Sequence, residues 1–228
     1  MSMYYTKIIL VFIGYFMGLH LFSQNNFEGL GETGLALNHK VNSGYKVNFA
    51  VRSRYYLYQD ENLNFENRQI DAVHFSTLSL NYNNSLSLGV QYRIRASIDG
   101  GSNELRLTQQ YNYTKKNLAL RFGHRIRFEQ RILETLTILR SRYRFALDFP
   151  LNGEKLDVGE SYLITSMEAL LSKNKKIKPE LDHRTTAQMG WLFSEKLKFQ
   201  FGLEYRFEAF NVKTEEKLFI LTSLILKV

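Results

Sequence analysis

Two runs of alternating apolar and charged residues, joined by a short connection, constrain this chain more than any other feature. Across residues 118–149, LALRFGHRIRFEQR is followed by ILETL and then by TILRSRYRFALDF. Read at period two, Leu118, Leu120, Phe122, Ile126 and Phe128 share one face, and Arg121, Arg125, Arg127, Glu129 and Arg131 share the other. The second run repeats the pattern, with Leu139, Tyr143, Phe145, Leu147 and Phe149 opposing Arg140, Arg142, Arg144 and Asp148. So many guanidinium groups on one side of a hairpin need carboxylates, a ligand or water beside them.

The same period recurs along most of the chain. Val47, Phe49, Val51, Tyr55 and Leu57 oppose Lys46, Asn48, Ala50, Arg52, Arg54 and Tyr56. A strand over 72–82 turns at Asn83-Asn84, a tight hairpin signal, into SLSLGVQYRIR. ELRLTQQYNY leads to a tight turn over 114–117, residues 150–153 break the sheet after the central hairpin, and 162–171 resume it. A lysine-rich loop over 172–182 precedes HRTTAQMGWLF, a Ser194-Glu195 turn and KLKFQFGLEYRFEAF, and KLFILTSLILKV ends the chain. Residues 59–70 are acidic and amide-rich and read as a loop. The glycine-bearing 27–40 segment reads as an edge strand or an irregular start.

No helical period of useful length survives beyond residue 24, and connection lengths then carry information. Tight turns near 83, 115, 151 and 194 alternate with longer polar connections near 64, 99, 177 and 213, with the short 132–136 connection as the exception. The expected fold is all-β, a single-domain antiparallel up-and-down transmembrane β-barrel of about ten strands, or twelve if 27–40 pairs as well.

The first residues supply an address. Lys7 precedes the apolar run IILVFIGYFMGLHLF, then Ser23 and Gln24, which matches a secretory signal peptide over 1–24 with the barrel over 25–228. The apolar run is short for a bilayer span of about 20 residues. Export to the bacterial outer membrane is therefore the expected localisation. The chain has no cysteine, so neither disulfides nor thiolate chemistry is available. Its sequence pI of about 9.5 would ordinarily suggest nucleic acid. Instead the arginines, Arg68 excepted, fall on the polar strand phase, while lysines gather near turns. Arginine suits enclosed, paired networks, so nucleic acid is not expected as a partner. Alternation alone does not say which face is wet, and a soluble lipocalin-like barrel would reverse the two. The signal peptide, the long strands and the Tyr and Phe near strand ends (Tyr55, Tyr58, Tyr82, Tyr111, Tyr113, Phe193, Phe207, Phe210) favour the membrane.

The stretches GHRIRFEQR, LRSRYRFALDFPLNG, DHRTTAQMGWLF and FGLEYRFE resemble an uncharacterised bacterial outer-membrane β-barrel family, a domain of unknown function with an Arg-rich central hairpin. The likeness covers roughly residues 30–225. It implies location and architecture and provides no activity. The chain departs from the usual habit of such barrels by ending Lys227-Val228 rather than on an aromatic residue.

No catalytic constellation stands out. His39, His74, His124 and His183 have no zinc-site or Ser-His-Asp spacing, and the Gly29 and Gly31 pair lacks the strand-to-helix context of a phosphate loop. No cofactor, metal or catalytic residue is assigned, and an enzyme is the less favoured reading. The expected lumen is lined by Arg93, Arg95, Arg106, Arg121, Arg125, Arg127, Arg131, Arg140, Arg142, Arg144 and Arg206, together with Arg52, Arg54 and Arg184. Glu104, Glu129, Asp148, Glu168, Glu204 and Glu208 are the counter-charges. Small barrels are filled by side chains, so a charge-paired, monomeric scaffold in outer-membrane lipid leads. The arginine surplus raises a narrow anion-selective channel, with an anionic solute or lipid headgroup as partner. A lipid-modifying enzyme is the remaining alternative.

Overall fold

Strands whose two faces differ this sharply leave one face on each side of a sheet, and a sheet curled until its edges meet encloses one face of every strand at once. The structure, a computed structural model, describes residues 27–176 and 178–228 and has this closed form. Its strands are β1 (Phe27–Lys40), β2 (Tyr45–Gln59), β3 (Asn62–Leu63), β4 (Asn67–Ser79), β5 (Asn84–Ile94), β6 (Glu104–Asn117), β7 (Leu120–Leu133), β8 (Thr137–Pro150), β9 (Ser161–Lys173), β10 (Glu180–Ser194), β11 (Leu197–Glu208) and β12 (Glu215–Lys227). Neighbours along the wall pair antiparallel. β2 pairs β4 directly, because the two-residue β3 only folds back on the end of β2.

Eleven strands form the wall. The count from Tyr45 gains one because the 27–40 segment is a 14-residue wall strand. β1 lies antiparallel to β2 and parallel to β12, running from Phe27 opposite Glu216 to Asn38 opposite Lys227. An odd ring of alternating strands must contain one parallel pair, whereas bacterial membrane barrels normally hold an even number. Here the seam joins the first and last strands, which need no crossover between them. Each end of the seam is tied. The Val228 N–H donates to the Asn38 carbonyl at 2.9 Å, and the Val228 carbonyl lies 2.9 Å from His39 Nδ1. At the other end the Lys217 ammonium lies 3.5 Å from Glu28, 3.1 Å from Glu208 and 2.9 Å from Glu215.

Three local expectations are corrected. β4 begins at Asn67, so Arg68, Gln69 and Ile70 belong to the wall rather than to a loop, and Asp71 with them. Polar residues on the inward phase, Gln69 and Asp71, disguised that strand as turn sequence. β6 runs on to Asn117 and the turn falls at residues 118–119, which leaves Leu118 exposed at φ 52° instead of on the apolar strand face. β8 extends to Pro150 and the connection after it spans 151–160, longer than the expected tight turn. The signal-peptide reading over 1–24 lies outside the described residues. No helix among them is long and apolar enough to cross a membrane, which does not bear on strands.

The wall is apolar outside and polar inside. On β5, Leu86, Leu88, Val90 and Tyr92 are exposed while Ser87 and Gln91 are buried; on β9, Met167 and Leu171 are exposed while Ser166 and Glu168 are buried. Connections of 41–44, 80–83, 118–119 and 195–196 gather at one end with 151–160, and 60–66, 95–103, 134–136, 174–179 and 209–214 at the other. The interior near the first end is filled by aromatics lying over glycines. The Phe75 ring covers Gly89, and the Tyr162 ring covers Gly190 with its hydroxyl 2.8 Å from Gln200 Nε2.

A methyl group at Gly89 would collide with the Phe75 ring. Gly89→Ala should therefore cost about 1–3 kcal/mol, as overpacking does. Combining it with Phe75→Leu should recover part of that loss. Urea unfolding of the refolded protein in detergent measures both changes.

Candidate functional site

The inward phase of the wall carries charge wherever β2 and β4 to β12 approach the end with the longer connections. Each of these arginines sits on a strand whose alternate residues face out, so its side chain has nowhere to go but inward. Together they enclose a cavity of about 530 Å³.

Four carboxylates act as hubs. Glu129 on β7, with only 1% of its side chain exposed, has Arg142 at 3.0 Å, Arg127 at 3.4 Å and Arg106 at 3.8 Å. Glu104 on β6 takes two bonds from Arg131, at 2.9 and 2.8 Å, and two from Arg106, at 2.9 and 2.6 Å, with Arg93 at 3.7 Å. Asp71 on β4 holds Arg93 by two bonds of 2.8 and 3.0 Å and also accepts from Gln69. Glu32 on β1 holds Arg54 at 2.5 Å, with Arg52 only at the 4.0 Å limit. Two-bond guanidinium–carboxylate pairing of this kind fixes orientation as well as charge.

The remaining pairs continue round the wall. Arg142 reaches Glu168 at 2.6 Å, Arg206 reaches Glu204 at 2.5 Å, and Thr186 Oγ1 donates to Glu204 at 2.9 Å. Arg184, Arg206 and Lys217 surround Glu208 at 3.6, 3.7 and 3.1 Å. Arg140 donates to Ser172 Oγ at 2.7 Å and lies 3.8 Å from Asp182. Phe219, with no exposed surface, is stacked between Arg206 at 3.7 Å and Arg54 at 4.8 Å from its ring centre. The ring adds the attraction of its negative face to two guanidinium groups already paired with Glu204 and Glu32.

Ten of the eleven arginines expected at the site line this cavity; Arg121 does not. It pairs with Asp148 at 2.5 Å near the 118–119 turn, with 55% of its side chain exposed. Arg95 is held by Asp99 in the 95–103 connection, where burial opposes ionisation but hydrogen bonds from Arg95 and the Gly101 N–H keep the Asp99 carboxyl below its ordinary range. Glu129, Glu168, Glu204 and Glu208 line the cavity, and Glu104 sits behind Arg106 and Arg131.

The sequence reading missed Glu32, Asp71, Asp182, Arg68 and Lys217, all of which line the cavity, and Glu28, which meets Arg68 at 3.4 Å. Glu28 and Glu32 fall in the weakly periodic first strand, Arg68 in the stretch read as a loop, and Asp71 between that stretch and the strand expected from 72. The excess of arginine over acid in the interior is accordingly smaller than two to one. Asp182 falls in the 172–182 stretch read as a lysine-rich loop, whereas β10 already begins at Glu180.

The histidines lie on the outer face. His124 packs among Tyr113, Tyr143 and Phe145, with Nδ1 2.9 Å from the Tyr143 hydroxyl. His74 Nε2 lies 3.1 Å from Ser76 Oγ, but His74 Nδ1 is buried without a partner, so no carboxylate orients the ring as a general base requires. Among the described residues no group of three or more His, Cys, Asp or Glu is placed to hold a metal ion.

A closed, antiparallel-dominated β-barrel around an ion-paired cavity is the class of protein that this wall and interior define. No curated protein and no solved structure matches the chain. The chain belongs to the family described as protein of unknown function (DUF2490), which matches residues 33–216.

The geometry ranks the arginines. Arg142 bridges two carboxylates, whereas Arg127 bonds mainly to Gln110 Oε1, at 2.8 and 2.5 Å. Arg142→Ala should destabilise the barrel by about 3–5 kcal/mol, the cost of stranding buried partners. Arg127→Ala should cost clearly less. Paired denaturant titrations of the two variants test this order.

Proposed function

We propose that the chain is a small monomeric barrel of the bacterial outer membrane, exported by its signal peptide, in which an Arg-rich, charge-paired lumen makes a stiff scaffold open to small solutes and without catalytic activity. One observation carries the reading: the apolar phase of the strands faces out, and the charged phase is enclosed. Leu88, Met167, Phe201 and Leu203 are among the large apolar side chains exposed on the wall. In water such a continuous band is an aggregation hazard, and in lipid it is the surface a barrel needs. A closed ring also leaves no unpaired backbone edge, as hydrocarbon demands. The soluble lipocalin-like alternative requires the opposite arrangement.

Aromatic residues support the same reading. Tyr45, Tyr82, Tyr113, Trp191 and Phe199 lie towards the end with the short turns, and Tyr55, Tyr58, Tyr205, Phe207 and Phe210 towards the other. Two such belts suit the two interfaces of a bilayer, with the short turns facing the periplasm. Scaffold is favoured over open channel because inward-pointing charged side chains, paired along the wall, occupy the interior and leave a cavity of about 530 Å³ rather than a wide bore. Planar-bilayer recordings of the scaffold should stay close to baseline.

Fractionation and thiol labelling test the reading together. The protein should partition with the outer membrane. Cysteines replacing Phe201 or Leu203 should react with lipid-soluble reagents only, and cysteines replacing Gln200 or Glu204 should be shielded from them. Recovery in the soluble periplasm, or reversed labelling, would sink the membrane assignment.

A further inference from the structure

Most interior arginines have a carboxylate; two that face each other do not. Arg125 on β7 and Arg144 on β8 are directly opposed in the register. Both line the cavity. Arg125 donates one bond, Nε to Asn112 Oδ1 at 3.1 Å, and neither residue has a carboxylate oxygen within the 4.0 Å that defines an ion pair elsewhere in the wall. The carboxylate opposite Arg144 across the next pairing is Glu168, and it is engaged by Arg142 at 2.6 Å. Arg52 adds a third cation on the same cavity. Its nearest carboxylate, Glu32, lies at the 4.0 Å limit and is taken up by Arg54 at 2.5 Å.

Two like charges placed opposite each other on neighbouring strands are destabilising unless something neutralises them. Within the hairpin the other opposed arginines, Arg127 and Arg142, share the Glu129 carboxylate. At Arg125 and Arg144 that place is taken by no carboxylate among the described residues. Guanidinium forks on adjacent strands that line one cavity offer donors in the planar geometry that suits phosphate oxygens.

We propose that Arg125, Arg144 and Arg52 form a binding site for a small soluble oxyanion of the phosphate or phosphate-monoester class. The site gives the cavity a ligand, and it rests on the scaffold reading only in requiring that these side chains face the enclosed interior. Phosphate completes the charge pairing that the wall leaves unfinished between these two arginines. A lipid headgroup is excluded as the source, because the site opens to the interior rather than to the outer face.

Thermal unfolding of the full-length barrel in non-ionic detergent, titrated with inorganic phosphate against chloride at matched ionic strength, tests the site. Phosphate should raise the midpoint more than chloride does, and Arg125→Gln and Arg144→Gln should each weaken the apparent affinity about tenfold, the loss expected for one charge-assisted contact. Without phosphate, Arg144→Gln should hold or raise the midpoint, since it removes repulsion and breaks no ion pair, so the variant remains folded and informative. Equal effects of phosphate and chloride, or a phosphate shift that survives in the Arg125→Gln, Arg144→Gln double variant, would overturn the site. Thiol labelling at positions 200 and 201 in the same preparation reports the faces separately. Correct faces without a phosphate effect defeat the site alone, and reversed faces defeat the scaffold reading with it.

Discussion

Enclosing charge inside a barrel obliges the protein to neutralise it, and the rest of the interior follows from that obligation. A buried ion pair gains little over an apolar filling when intact, but an unpaired buried charge costs several kcal/mol, by the usual balance of desolvation against attraction. The wall meets this by placing few acids where they serve several cations. Glu129 gathers guanidinium groups from β6, β7 and β8, Glu104 from β5, β6 and β7, and Glu208 gathers cations from β10, β11 and β12. Each of these three acids therefore ties three consecutive strands, Asp71 and Glu32 tie two strands each, and together they tie most of the ring.

The network and the aromatic filling divide the interior between them. Towards the short turns, rings lying over glycines occupy space without charge, and Lys198 stacks on Tyr162 at 5.2 Å. Towards the longer connections, guanidinium planes take over. Phe75 marks the join, because its ring covers Gly89 on one side and lies 5.4 Å beneath the Arg127 guanidinium on the other. Removing either layer would expose the other to water, so neither is simply a lining.

Legibility in the sequence followed how each strand announces itself. β7, β8 and β11 alternate cleanly, and their arginines and carboxylates were placed from period two alone. β1 was obscure because its three glycines, Gly29, Gly31 and Gly34, give little contrast between faces, and because its closing partner β12 is the most distant strand in sequence. The odd strand count depended on that pairing, which no local pattern can announce. Arg68 and Asp71 were lost for the opposite reason: their strand starts inside a run whose amides and acids look like a turn. The unpaired state of Arg125 and Arg144 was beyond the sequence too, since it depends on which way Glu168 leans. Register puts Glu168 beside Arg144, and only the side-chain geometry commits it to Arg142.

The arginine rows also specify the wall against its own errors. A strand slipped by one residue would move its entire inward set to the outer face. For β8 that slip would carry Arg140, Arg142 and Arg144 outward and bring Leu139, Tyr143 and Phe145 in among the carboxylates. In the membrane setting proposed above, each arginine exposed at mid-bilayer would cost about 2–4 kcal/mol, before any stranded acid is counted. A leucine–serine alternation would hold the same register far more weakly, because a serine facing lipid costs much less than a guanidinium. The seam is where this protection matters most, since β1 and β12 meet without a turn to align them and β1 has several glycines. There the aligning charges are Glu28 and Glu32 on β1, with Lys217 on β12 and the paired Arg54 on β2. A shift of β1 by one residue would withdraw both acids from these cations. The correct parallel register is thus the one in which the first strand delivers its two carboxylates to the interior.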